Sequence, residues 1–227
     1  CGTDTVYSGA LSSLRHWSYS EEDVSVADFS LLQVAGDYTL FVPGVGYSYP
    51  FKINERINFE LAKGAVKGFY YQRASIPLDT SFAGKWARPE GHPDTAVLIH
   101  SSAATPERPV NSKISSPRGW YDAGDYNKYI VNSGITTYSL LAAYEHFPNY
   151  CSELNLSIPE SNNKLPDILD EALWNVRWML TMQDPADGGV YHKLTNTNFD
   201  GMIMPHQATT PRYVVMKSTA ASLDFAA

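Results

Sequence analysis

Leu165-Pro166-Asp167-Ile168-Leu169-Asp170-Glu171-Ala172-Leu173-Trp174-Asn175-Val176-Arg177-Trp178-Met179-Leu180 is the stretch on which the reading of the fold turns. Leu165, Ile168, Leu169, Ala172, Leu173, Val176, Met179 and Leu180 recur at intervals of three and four, the period of one helix face. Pro166 sits in the first turn. Asp167, Asp170 and Glu171 lie near the N-terminal end, where carboxylates complement the helix dipole, and Pro185 and Gly188-Gly189 follow the stop. Trp174 and Trp178 on this amphipathic helix read as core. Working outward, Leu61, Ala62, Ala65, Val66, Phe69 and Tyr70 form a second helical stripe. Ile135, Tyr138, Leu141 and Ala142 form a third, ending at Phe147-Pro148. A last helix begins at Ser218 and is still running at Ala227. Between them, Ala74 to Arg118 is Pro- and Ser-rich with little periodicity, and reads as a long loop.

Before Asn58 the period is two. Val24 and Val26 alternate with Ser25, Tyr38, Leu40 and Val42 alternate with Thr39 and Phe41, and Tyr47 to Ile53 repeats the pattern. Short alternating runs bounded by Gly and Pro predict strands of an antiparallel sandwich. Residues 1–54 are too few for a whole sandwich domain of roughly 100 residues. They read as its later part, followed by a helical region over residues 55–227.

The 227-residue chain is 44% hydrophobic, 18% charged and 13% aromatic, with 15 Tyr and 5 Trp. Such a composition suits a flat surface for a neutral ring-shaped ligand, although a large aromatic core accounts for it as well. Lys and Arg total 17 against 24 Asp and Glu, a net charge of -7 with no basic cluster. That balance argues against nucleic acid and against an anionic membrane surface. No uncharged apolar run approaches the roughly 18 residues that would predict insertion into a bilayer. Residues 1–20 lack a basic start followed by an apolar core, so no signal peptide is expected there. The cysteines, Cys1 and Cys151, belong to no CxxC and have no histidine at ligand spacing. A disulfide between them stays open. Acylation of Cys1 is discounted, because both ends of the domain pair look cut.

Chemistry concentrates in Gly119-Trp120-Tyr121-Asp122-Ala123-Gly124-Asp125-Tyr126. Two carboxylates three residues apart, separated by Ala and Gly and flanked by aromatics, can aim at one point and hold a water while one takes its proton. Gly124 is expected to supply backbone freedom and close approach of a ligand. An Asx-turn, with both aspartates capping backbone N–H groups, fits the same spacing and is the commoner use of it.

The surrounding segments shift that balance. The sequence resembles glycoside hydrolase family 9, the inverting cellulase family, over nearly its whole length. Ala27-Asp28-Phe29-Ser30 and Ser48-Tyr49-Pro50-Phe51-Lys52-Ile53 are similar to the immunoglobulin-like domain that precedes the catalytic domain in one subgroup. Phe69-Tyr70-Tyr71-Gln72-Arg73 resembles the first catalytic-domain helix, and Gly119 to Tyr126 the turn that bears the base. Ile158-Pro159-Glu160, Pro166 to Glu171, Gly188 to Lys193 and Ser218 to Ala227 continue in the family's order. The resemblance implies an immunoglobulin-like β-sandwich followed by an all-α six-hairpin α/α barrel, both incomplete in this chain. It implies Asp125 as general base and Asp122 as a holder of the attacking water. The family's acid, a Glu far downstream, has no counterpart here. Glu160 and Glu171 read as structural. The stripes of Leu61 to Tyr70 and Leu165 to Leu180 are therefore expected to lack partners without the rest of the barrel, supplied by the same or another chain.

Trp86, Trp120, Tyr121, Tyr126 and His192 are the expected contacts to sugar, though a surface position is the commoner place for a histidine such as His192 or His206. Some relatives with the β domain carry cysteines in a zinc site where this chain has Ala74 and Gly91, beside His92. Losing two thiolates argues against zinc and makes His92 an ordinary loop or solvent histidine. No cofactor is required. Calcium is compatible with the family but leaves no readable spacing. No GxSxG, HExxH or Walker sequence is present, and Gly44-Val45-Gly46 lacks the rest of a dinucleotide fingerprint. The expectation is an endo-β-1,4-glucanase acting on cellulose or mixed-linkage glucan, secreted, periplasmic or at the cell surface because the polymer cannot enter a cell. The alternatives are a non-catalytic carbohydrate-binding or scaffold protein on a decayed barrel, and an exo-acting glucosaminidase.

Overall fold

The computed structural model describes residues 4–227 and divides into two compact units, Cys1–Glu60 and Leu61–Ala227. Cys1, and with it any disulfide to Cys151, lies outside the described residues. Cys151 itself is buried, its thiol directed at the Ala143 carbonyl over 3.4 Å.

The described strands of the first unit are short. β1 (Arg15–Trp17) pairs antiparallel with β2 (Glu22–Val24). β3 (Gly36–Tyr38), β4 (Phe41–Val42), β5 (Gly46–Tyr47) and β6 (Phe51–Ile53) form nested antiparallel pairs, β3 with β6 and β4 with β5. The two long strands expected over Tyr38–Val42 and Tyr47–Ile53 are thus each broken. The register explains the break, since Tyr38 faces Phe51 while Phe41 faces Tyr47. One extra residue is therefore accommodated around Tyr49-Pro50, where Pro50 has no N–H for the ladder. Among the described residues of this unit no side chain is fully buried. Phe29, Tyr38 and Phe51 gather their rings on one face, with Phe29 and Phe51 centroids 5.2 Å apart.

The described helices are α1 (Phe59–Tyr71), α2 (Thr80–Ala83), α3 (Ile130–His146), α4 (Pro148–Ser152), α5 (Asp167–Met179) and α6 (Thr219–Ala226). Four of these six, α1, α3, α5 and α6, follow the predicted segments, and the short α2 and α4 were not expected. Ser218 caps α6 by accepting the Ala221 N–H at 3.1 Å, satisfying one of the donors a helix start leaves open. α3 packs on α5 and α6. Trp174 and Trp178 are buried as expected, and α5 finds its partners within this chain: Ile168, Ala172, Trp178 and Met179 are all enclosed. The expectation that the stripe lacks partners is therefore corrected for Ile168, Ala172 and Met179, while Leu173 and Leu180 stay exposed. Further outward apolar side chains lie on α3, at Ile135, Tyr138 and Leu141, and at Leu61 of α1.

The second unit is also not all-α. β7 (Val97–Ile99), β8 (Lys113–Ile114), β9 (Lys128–Tyr129), β10 (Lys193–Asn196) and β11 (Arg212–Val214) form one sheet in the order β8-β7-β11-β10-β9. β7 and β11 run parallel and the other neighbours antiparallel. The stretch 74–118, read as loop, supplies α2, β7 and β8. Strands of two to four residues are too short to display an alternation, so their pairing is invisible in sequence. Val97, Ile99, Leu194 and Val214 from this sheet join Trp178, Met179 and Met182 in the main core.

Candidate active site

The segment after Arg118 is pinned before it reaches the two aspartates. Gly119 accepts the Ala74 N–H at 2.9 Å, and Tyr121 donates its N–H to the Gln72 carbonyl at 2.9 Å. Gly119 has φ +78, and a Cβ there would lie 2.8 Å from the Trp178 ring. Only glycine meets both conditions. The backbone freedom expected of Gly124 is thus required at Gly119, while Gly124 has open space around it and no positive φ.

The Asp122 N–H donates to the Asn127 carbonyl at 3.1 Å and closes the turn. Asp122 Oδ1 accepts from Asn132 Nδ2, in the first turn of α3, at 2.7 Å. Asp125 Oδ2 accepts from Asn127 Nδ2 at 3.1 Å and from the Tyr129 hydroxyl at 3.0 Å. Asp125 Oδ1 is enclosed and has no donor. Neither carboxylate caps a backbone N–H among the described residues, so the Asx-turn is not what holds this segment. Asp122 is exposed and Asp125 half-buried. Lys128 points the opposite way from its neighbours, fully buried. Its Nζ reaches the Asp94 carboxylate at 2.8 Å and the Arg118 carbonyl at 2.7 Å. Burial pushes this ammonium below its usual range, opposed by Asp94.

Beside the turn is an open pocket of about 300 Å³ lined by Tyr71, Gln72, Leu78, Trp86, Arg88, Tyr121, Tyr126, Met204 and Pro205. Tyr121 and Tyr126 meet edge to face at 5.0 Å between centroids, and Trp86 is 63% exposed. Three expected sugar contacts therefore line one pocket. Trp120 does not. It is 5% exposed, its indole N–H donates to buried Glu171 at 3.4 Å, and Phe69 covers its ring at 4.8 Å, so it has no face for a ligand. His192 is also not in this pocket; its backbone pairs with Ile130 and Met216.

His92, expected to be a solvent or loop histidine, lies in a loop but is buried at 7% exposure. The Tyr121 phenol proton goes to the Gly91 carbonyl at 3.2 Å, which leaves His92 Nδ1 to donate to the phenol oxygen at 2.9 Å. Burial, with repulsion from Arg212, lowers the His92 imidazole to about 4. Burial pushes the Tyr121 phenol up. Ala74 is fully buried, and a side chain on Gly91 would meet Pro205 Cβ at 2.6 Å. Among the described residues no three His, Cys, Asp or Glu side chains group to hold a metal. Glu160 and Glu171 are both engaged by Arg73, Glu160 through both oxygens at 3.0 Å and Glu171 at 2.9 Å, in line with a structural role.

A family model for glycosyl hydrolase family 9 matches residues 59–227. The chain belongs to glycosyl hydrolase family 9. A model described as the cellulase N-terminal ig-like domain matches residues 2–47. Among relatives within family 9, a xyloglucan-specific endo-β-1,4-glucanase of Bacteroides ovatus is 50% identical over 92% of this chain and 35% of its own length. Endoglucanase D of Acetivibrio thermocellus is 39% identical over 98% of this chain and 35% of its own length. A solved Bacteroides ovatus family 9 structure superposes with a TM-score of 0.91 at 48% identity, over 96% of this chain and 40% of that one. The family 9 endoglucanase J30 gives 0.90 at 32% identity, over 98% and 41%. The chain thus spans about a third of the length of the curated relatives it matches. Its small β-sheets precede the helical portion of the family 9 fold, of which it holds a part.

Asn127, Tyr129 and Asn132, which hold the two aspartates, were not singled out in the sequence. Asp125, Asn127 and Tyr129 stand two residues apart, and that spacing of polar side chains is the signal that could have found them.

Proposed function

We propose that this chain is part of an enzyme that hydrolyses β-1,4-linked glucans with inversion at the anomeric carbon. Asp125 acts as general base and Asp122 helps hold the attacking water. The observation that carries the reading is the turn in which both carboxylates are held by side chains rather than spent on backbone caps, beside a pocket walled by Trp86, Tyr121 and Tyr126. Inversion needs an acid roughly 6.5–9.5 Å from the base, on the leaving oxygen. In this reading a Glu outside residues 1–227 supplies it, from the remainder of a six-hairpin α/α barrel. Residues 1–54 are then the later part of an immunoglobulin-like sandwich and residues 55–227 the first part of the barrel.

Exposed Trp86 and half-buried Tyr126 offer ring surface to the CH groups of a sugar, while Tyr121, 3% exposed, backs the Tyr126 ring from within the wall. The name of the Bacteroides ovatus relative favours a branched glucan, xyloglucan, over plain cellulose as the polymer. A polymeric substrate places the protein outside the cytoplasm: secreted, periplasmic or at the cell surface. Zinc is not part of the reading, since buried Ala74 and the Gly91–Pro205 contact leave no ligands beside His92. Calcium remains compatible with it.

In the full-length enzyme, Asp125→Ala should lower kcat by at least about 100-fold with KM little changed. Asp122→Ala should be damaging but less so. Near-normal turnover of Asp125→Ala on a soluble β-1,4-glucan would overturn the assignment.

A further inference from the structure

We infer that Tyr129 and Asn127 are positioning residues that clamp the Asp125 carboxylate and so fix the orientation in which it meets the attacking water. This deepens the reading above and rests on it. Both donors converge on Oδ2, Tyr129 Oη at 3.0 Å and Asn127 Nδ2 at 3.1 Å. Two donors on one oxygen fix the plane of the carboxylate. The other oxygen, Oδ1, is left enclosed and without a donor.

The clamp is itself held. Asn127 is 1% exposed, and its amide oxygen accepts the Asn196 backbone N–H at 3.3 Å, which turns its NH2 toward Asp125. Tyr129 is the residue before α3, yet its side chain makes no helix-capping hydrogen bond, so the hydroxyl is free for Asp125. Burial keeps the phenol protonated, and therefore a donor, above its ordinary range. The charged groups around the clamp come from three elements. Asp122 lies in the same turn, Lys193 of β10 sits over the Tyr129 ring at 5.4 Å, and Arg212 of β11 acts on Asp125 through its charge.

The test is a double-mutant cycle in the full-length enzyme, with initial rates on a soluble β-1,4-glucan. Tyr129→Phe removes only the hydroxyl. It should lower kcat about tenfold with KM within about twofold, the scale of one hydrogen bond to a charged group. In an Asp125→Ala background the same change should cost nothing further, because the group it acts through is gone. A residue that merely supports the fold would cost the same factor in both backgrounds. Asn127→Ser should repeat the pattern, and it carries the test if Tyr129→Phe does not fold. An unchanged kcat in both single variants, or an equal loss in the Asp125→Ala background, would overturn the clamp while leaving Asp125 as the base. Near-normal turnover of Asp125→Ala would overturn the base reading, and the clamp with it.

Discussion

Arg73 Nη2 lies 2.9 Å from Glu171 Oε1, and both side chains are buried to within 1% of complete enclosure. The pair joins the end of α1 to α5, and Glu160 adds a second carboxylate to the same guanidinium. The Arg73 guanidinium also stacks over Trp174 at 4.5 Å. Arg73→Met strands Glu171 as a buried charge without its partner. Breaking one side of a buried pair costs about 3–5 kcal/mol. Denaturant melts of the full-length protein should show a loss of that order, and a loss below about 1 kcal/mol would mean that the pair is not holding α1 to α5.

Gly119→Ala tests the turn that carries the aspartates. The substitution meets a positive φ and a ring carbon of Trp178 at 2.8 Å at once. Strained backbone and overpacking each cost about 1–3 kcal/mol. Gly124→Ala meets neither obstacle. Thermal melts of the two variants should separate clearly, with Gly119→Ala much the less stable. Equal melting temperatures would refute the assignment of the strained position.

His92 makes stability depend on pH. Its folded imidazole titrates at about 4, below the ordinary value of about 6.5. Between those values the unfolded chain takes up a proton that the folded chain refuses. This contribution is therefore fully present above about pH 6.5 and is lost progressively as pH falls toward 4. His92→Gln removes it, so its stability should fall less steeply over that window than that of the parent. Parallel stability–pH curves would show that His92 is not protected from protonation.

Residues 1–227 expressed alone should be poorly behaved. Ile135, Tyr138 and Leu141 are 61%, 64% and 45% exposed along α3, and Leu61 is 72% exposed on α1. Burying such a side chain contributes roughly 1.5–3 kcal/mol, and whole proteins hold only about 5–15 kcal/mol in reserve. The expected outcome is dye binding to exposed apolar surface, a broad melt and no glucan hydrolysis. A sharp cooperative melt together with measurable hydrolysis would show that the chain contains its own acid.

The sequence by itself determined the four longest helices and the place of the aspartate pair. α1, α3, α5 and α6 announce themselves through stripes at helical spacing and through local stop and start signals such as Ser218, because a helix satisfies its backbone within one short segment. Asp122 and Asp125 stand out for the same reason, being neighbours in one turn. Tertiary structure alone decided the rest. β7 meets β11 through Leu98 and Tyr213, strands too far apart in the chain and too short to show a period. Trp120 reads like an exposed sugar platform beside an aspartate, but Glu171 and Phe69, brought from other helices, enclose it. His92 reads like a loop histidine until Tyr121 and Tyr126 close around it. Burial depends on which distant segments arrive at a residue, and the pattern of its own neighbours does not carry that information.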